Sequence, residues 1–156
     1  MRIIILSEKY GNHSNQLFQH IHLDGFSKEN GIKFYNPFIY NILCNYRKIS
    51  LGKILLSKSV IIIIKILKRL CLIKEYNLDD FNKNDEYKKF LLNKRLSLVK
   101  GWALRDYNAT SKYREFYKNV FSIPNQYSRN YNDIKQKISN SKISIGLHIR
   151  RGDYIE

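Results

Sequence analysis

Arg2-Ile3-Ile4-Ile5-Leu6, followed by a polar stretch at 7–13 and a periodic run at 15–30, decides the architecture of this chain. Five residues rich in isoleucine and closed off by polar neighbours predict a buried strand. Residues 7–13 predict a loop that turns at Gly11. Ser14 is the expected N-cap of a helix over 15–30, where Leu17, Phe18, Ile21, Gly25 and Phe26 share one face and Gly31 suits the end. A strand, a polar loop and a helix N-terminus in that order are the parts of an anion or hydroxyl site at the junction, and an ordinary capped helix is the competing reading.

Working outward, residues 32–36 predict a short second strand stopped by Pro37, and 38–46 are aromatic and apolar without a clear period. The apolar segment 54–73 is interrupted by Lys58, Lys65, Lys68 and Arg69, so it falls short of the roughly 18–20 uncharged residues of a membrane span. Two readings of it stay open: a core or protein-interface helix whose lysines reach solvent, which we prefer, and a basic helix lying on an anionic membrane. Asp79 or Asp80 is expected to cap a short helix. A second helix is expected over 84–92, with Phe90, Leu91 and Leu92 inward. Residues 96–104 read as a strand around Gly101 and Trp102. A helix over 106–121 carries Tyr113, Phe116, Tyr117 and Phe121, a stripe that reads as core rather than as a base-stacking platform. A last basic helix over 127–138 precedes a strand at 143–147. Strands alternating with helices predict an α/β fold.

Composition narrows the partners without choosing among them. In 156 residues, 28 Lys and Arg oppose 13 Asp and Glu, a net charge of +15 that favours nucleic acid, acidic lipid or nucleotide-sugar phosphate. Cys44 and Cys71 have neither metal-ligand spacing nor a disulfide framework, and the 2–6 run is too short for a signal core, so a cytoplasmic protein is expected. His20 and His22, two apart on a helix, point to different faces and do not suit a shared metal. His13 lies upstream without a completing ligand. No metal is expected.

The densest chemistry is His148-Ile149-Arg150-Arg151-Gly152-Asp153-Tyr154, directly after the apolar run Ile143-Ser144-Ile145-Gly146-Leu147. A strand ending in such a cluster fits the carboxyl edge of an open α/β sheet, where ligands bind. Paired arginines offer forked, permanently charged donors to phosphate, and Gly152 permits close approach. Asp153 would hold an arginine or accept from a sugar hydroxyl. A basic strand end with Asp153 as its surface ion-pair partner is the competing reading.

These residues carry a resemblance. His148–Tyr154 resembles the H-x-R-R-x-D-Y signature of the bacterial alpha-1,2-fucosyltransferases, glycosyltransferase family 11. Asn15-Gln16-Leu17-Phe18-Gln19 resembles that family's N-Q-x-F-Q segment after the first strand, although Ser14 stands where the family has glycine. Gly101-Trp102 and the 113–121 region resemble its midsection in arrangement. The resemblance implies a Rossmann-like N-terminal half of a GT-B glycosyltransferase: residues 1–141 as the acceptor-side domain, and 142–156 as the opening of an incomplete donor-binding domain. It implies GDP-fucose as donor, bound by His148, Arg150, Arg151 and Tyr154, with Asp153 as candidate base and Asn15 and Gln16 near the substrate cleft. Fucose would pass with inversion to the 2-hydroxyl of a galactoside on a cell-surface glycan, without a metal or other cofactor. A chain ending at Glu156 would then be a fragment, inactive alone. The expected partners are a nucleotide sugar and a glycan acceptor, with no nucleic acid. A peripheral contact at the inner face of the cytoplasmic membrane is left open. The alternative is a basic, non-catalytic module that binds nucleic acid or a membrane surface; against the former, no recognised helix or RNP signature appears.

Overall fold

The computed structural model describes residues 1–81, 84–122 and 125–140. The chain divides into two units, Met1–Ser122 and the residues from Ile123 onward. The first opens with strand β1 (Ile3–Leu6), helix α1 (His13–Glu29), strand β2 (Lys33–Tyr35) and the short helix α2 (Ile39–Leu43). Helix α3 (Leu51–Arg69), strand β3 (Glu75–Asn77), a 3-10 turn (Leu78–Asp80), helix α4 (Asn84–Asn93) and strand β4 (Leu96–Lys100) follow. Helices α5 (Tyr107–Lys112) and α6 (Arg114–Val120) complete that unit. In the second unit, helix α7 (Asn125–Ser139) occupies the stretch expected to be helical. The expected strand at 143–147 and the expected domain boundary at 141/142 lie outside the described residues.

The four strands among the described residues form one parallel sheet in the order β2-β1-β4-β3. Parallel neighbours need crossover connections, which the intervening helices supply. The α/β expectation therefore holds. In the β1–β4 register Ile4 lies opposite Ser97 and Leu6 opposite Val99. Paired residues share a face, so Ile4, Leu6 and Val99 line one side of the sheet. They cluster with Leu23 and Phe26 of α1 and Tyr87 and Leu91 of α4, all essentially inaccessible. Each such side chain contributes on the order of 1.5–3 kcal/mol of transfer free energy.

Several sequence expectations change. Asn12, not Ser14, caps α1: its side-chain oxygen accepts from the Asn15 N–H, and the helix starts two residues early. Asn77, not Asp79 or Asp80, caps the 3-10 turn by accepting from the Asp79 N–H. Strand β4 ends at Lys100, because Gly101 turns the backbone to φ +100°, outside the extended region. The helix expected over 106–121 is two helices that break at Tyr113. Of its aromatic stripe Tyr117 is buried, whereas Phe116 is exposed beneath the Lys28 ammonium. Helix α3 buries only Ser57 and Ile64 fully, so it is not a core helix. Strand β3 was not anticipated; three residues, two of them polar, carry no strand period.

Candidate functional site

Because β1, β4 and β3 run parallel, the loops after Leu6, Lys100 and Asn77 leave from the same edge of the sheet. That is the carboxyl edge, where open α/β sheets bind ligands. The loop after β1 turns at Gly11, whose φ of +59° favours glycine. A methyl group there would also sit 2.7 Å from the Asn15 side-chain nitrogen, so Gly11 and Asn15 fit against each other. The Gln16 side-chain amide donates to the Gly11 carbonyl at 2.8 Å and ties the loop to the first turn of α1. Asn15 and Gln16 thus stand, half-buried, where the strand-to-helix loop meets the helix.

One turn further along, α1 reaches the loop after β4. Gln19, almost wholly buried, donates its amide to the Gly101 carbonyl at 2.7 Å. The Phe18 and Trp102 rings lie 5.8 Å apart, and Tyr10 stacks on Trp102 at 4.8 Å. The Arg105 guanidinium covers the Trp102 ring at 4.0 Å while donating to the Trp102 and Leu104 carbonyls. The two segments singled out in the sequence, 15–19 and 101–102, are therefore in direct contact.

A polar girdle surrounds this aromatic patch. Asp79 accepts the backbone N–H groups of Trp102 and Ala103 at 2.7 and 2.6 Å, fixing the β4 loop to the turn after β3. Glu75 binds the Ser7 hydroxyl at 2.6 Å, Lys68 at 2.5 Å and Lys100 at 3.2 Å. Burial alone would raise its carboxyl pKa, but the hydrogen bonds from Lys68, Ser7 and Lys100 outweigh it and hold the group below its ordinary value. A hollow of about 230 Å³ opens here, lined in part by Glu8, Tyr10, Asn77, Asp79 and Gly101. It is smaller than the roughly 300–1,000 Å³ of a drug-sized pocket. One small polar group fits it; a whole nucleotide does not.

His20 and His22 serve the fold. His22 is buried and its Nδ1 accepts from the Asp106 N–H at 2.9 Å, anchoring the start of α5. His20 packs against Phe34 and Phe121 and faces the Asn36 amide at 3.3 Å; burial pushes its pKa down to about 4. His148, Arg150, Arg151, Asp153 and Tyr154 lie outside the described residues. Among the described residues no group of three or more His, Cys, Asp or Glu is placed to hold a metal ion. Sequence reasoning missed Tyr10, Arg105 and Glu75. Only Glu75 left a signal, as the first carboxylate after Glu29. Comparison with known proteins gives no match: no family model, no curated protein and no solved structure matches the chain.

Proposed function

We propose that this chain supplies the acceptor-side half, and the opening of the donor site, of a GDP-fucose-dependent glycosyltransferase that fucosylates the 2-hydroxyl of a galactoside. The observation that carries this reading is the contact between residues 15–19 and Gly101-Trp102 at the carboxyl edge of the parallel sheet. Two segments resembling one family, far apart in sequence, meet where a substrate would lie. The exposed faces of Tyr10 and Phe18 offer apolar ground for a sugar ring, and Glu8, Asn77 and Asp79 offer acceptors for its hydroxyls.

In the reaction the acceptor 2-oxygen attacks the anomeric carbon of fucose from the side opposite the diphosphate. The carbon–oxygen bond to GDP breaks and the configuration inverts. Arg150 and Arg151 offset the charge that grows on the departing diphosphate, an electrostatic role that needs a preorganised and largely dry site. The hydroxyl proton passes to a carboxylate, for which Asp153 is the candidate within this chain. The sequence motif, not the described geometry, supports these three roles.

Calorimetric titration of GDP-fucose and of GDP, into this chain and into any longer form encoded with it, tests the reading. Binding that Arg151→Ala abolishes while the protein remains folded is the expected result. A folded longer form that binds neither nucleotide overturns it.

A further inference from the structure

Helix α3 turns most of its apolar surface away from the protein. Ser57 and Ile64, seven residues apart, are the positions it buries fully. Leu51, Leu55, Ile62 and Ile66, joined by Leu56 and Ile63, are each more than half exposed. At the turn of an α-helix these six fall within one stripe about 140° wide, with Ser59 near its middle. Lys58, Lys65 and Arg69 follow one edge of that stripe at spacings of seven and four. None of the three makes an ion pair among the described residues; of the cations on α3, only Lys68 does there, with Glu75. Residues 31–74 contain no Asp or Glu at all.

We infer that α3 is a membrane-surface helix that lies in the plane of an anionic bilayer, its leucines and isoleucines in the acyl boundary and its edge cations on headgroup phosphates. Both halves of the surface require the same occupant. An apolar protein partner would cover the stripe but leave the row of cations without counter-charge. Soluble polyanions would take the cations but leave the stripe in water. An anionic lipid surface satisfies both. No described helix is long and apolar enough to cross a membrane, so the contact is with one face of the bilayer. The inference stands apart from the glycosyltransferase reading and uses none of its residues.

The test places an environment-sensitive fluorophore at Ser59→Cys, with the exposed Cys44 and Cys71 replaced by serine. Vesicles of phosphatidylcholine, alone or mixed with phosphatidylglycerol, are then titrated in. A blue shift with the mixed vesicles and none with phosphatidylcholine alone is expected, weakening as salt is added. Ile62→Gln with Ile66→Gln should reduce partitioning by about tenfold or more. Lys58→Glu, Lys65→Glu and Arg69→Glu together should reduce it on the order of a hundredfold. These positions are exposed, and unchanged circular dichroism will show that the variants fold. Three results would overturn the inference: equal partitioning into both vesicle types, no shift with either, or a probe already shielded without lipid in a concentration-dependent dimer. The last would make a second copy of the chain the occupant.

Discussion

Gly101 does two things that no other residue could do in its place. Its φ of +100° lets β4 stop and the chain turn, and a methyl group there would meet Asn77 at 2.5 Å and Asp79 at 3.0 Å. Gly101→Ala is expected to destabilise the protein by about 2 kcal/mol or more through backbone strain and the displaced Asp79 hydrogen bonds. Trp102 is the sole tryptophan in the sequence, so its fluorescence in a urea titration reads both the loss of stability and the altered loop. At this scale the sequence was only half legible. The 15–19 segment and Gly101-Trp102 stood out as types, and they meet in space through Phe18 and Gln19, whereas Asn15 and Gln16 pack against the Gly11 turn. Tyr10 and Arg105 did not stand out, because stacking on Trp102 depends on where two loops meet and leaves no mark on either loop alone.

Helices were legible where their ends were marked by local chemistry. Asn12 and Gly31 bracket α1 by capping and by a φ of +61°, although Ser14 competed for the first role. The break between α5 and α6 had no such mark, since no glycine or proline lies there. It follows instead from docking on α1: Gly25 faces the Ala109–Thr110 backbone, and the Tyr117 hydroxyl donates to Asp24 at 2.8 Å. A Cβ on Gly25 would lie 3.4 Å from that backbone, which is ordinary contact. Gly25→Ala should therefore be neutral or stabilising by up to about 1 kcal/mol, from better helix propensity. Gly25→Leu should push α5 off its seat and cost about 1–3 kcal/mol. Urea midpoints of the two variants against the parent decide whether the α1–α5 packing is as close as described.

For the whole molecule, pH acts through the histidines of α1. The folded protein holds His20 at a pKa of about 4, and burial, aided by the Arg105 charge, lowers His22 as well. Burial is the larger cause for His20; Asp24 opposes it and Lys28 adds to it. An unfolded histidine takes its proton near 6.5, so between about 6.5 and 4 the unfolded chain binds more protons than the folded one. Stability is then complete above that window and falls as pH drops through it, by roughly 3 kcal/mol for His20 at most. Glu75, held below its ordinary value, adds a further loss at still lower pH. His20→Gln keeps an acceptor for Asn36 and should flatten the dependence between pH 7 and 4 in urea titrations; an unchanged slope would assign it to other groups. The fold class was plain from apolar runs alternating with helical periods. The strand order was not, because nothing in three residues of β2 or β3 says which neighbour each will take.

That order has a consequence in time. The centre of the sheet joins β1 to β4, with Ile3 opposite Leu96. During synthesis at about 5–20 residues per second, β1 leaves the ribosome well before its central partner exists, and waits for roughly 5–20 s. Contacts so distant along the chain also make folding slow once synthesis is complete. Throughout that interval the uncharged strand Ile3-Ile4-Ile5-Leu6 has its β4 edge open even when β2 has paired on the other side, and whatever shelters that edge then, a chaperone or α1 folding early against the strand, governs how much of the protein escapes aggregation.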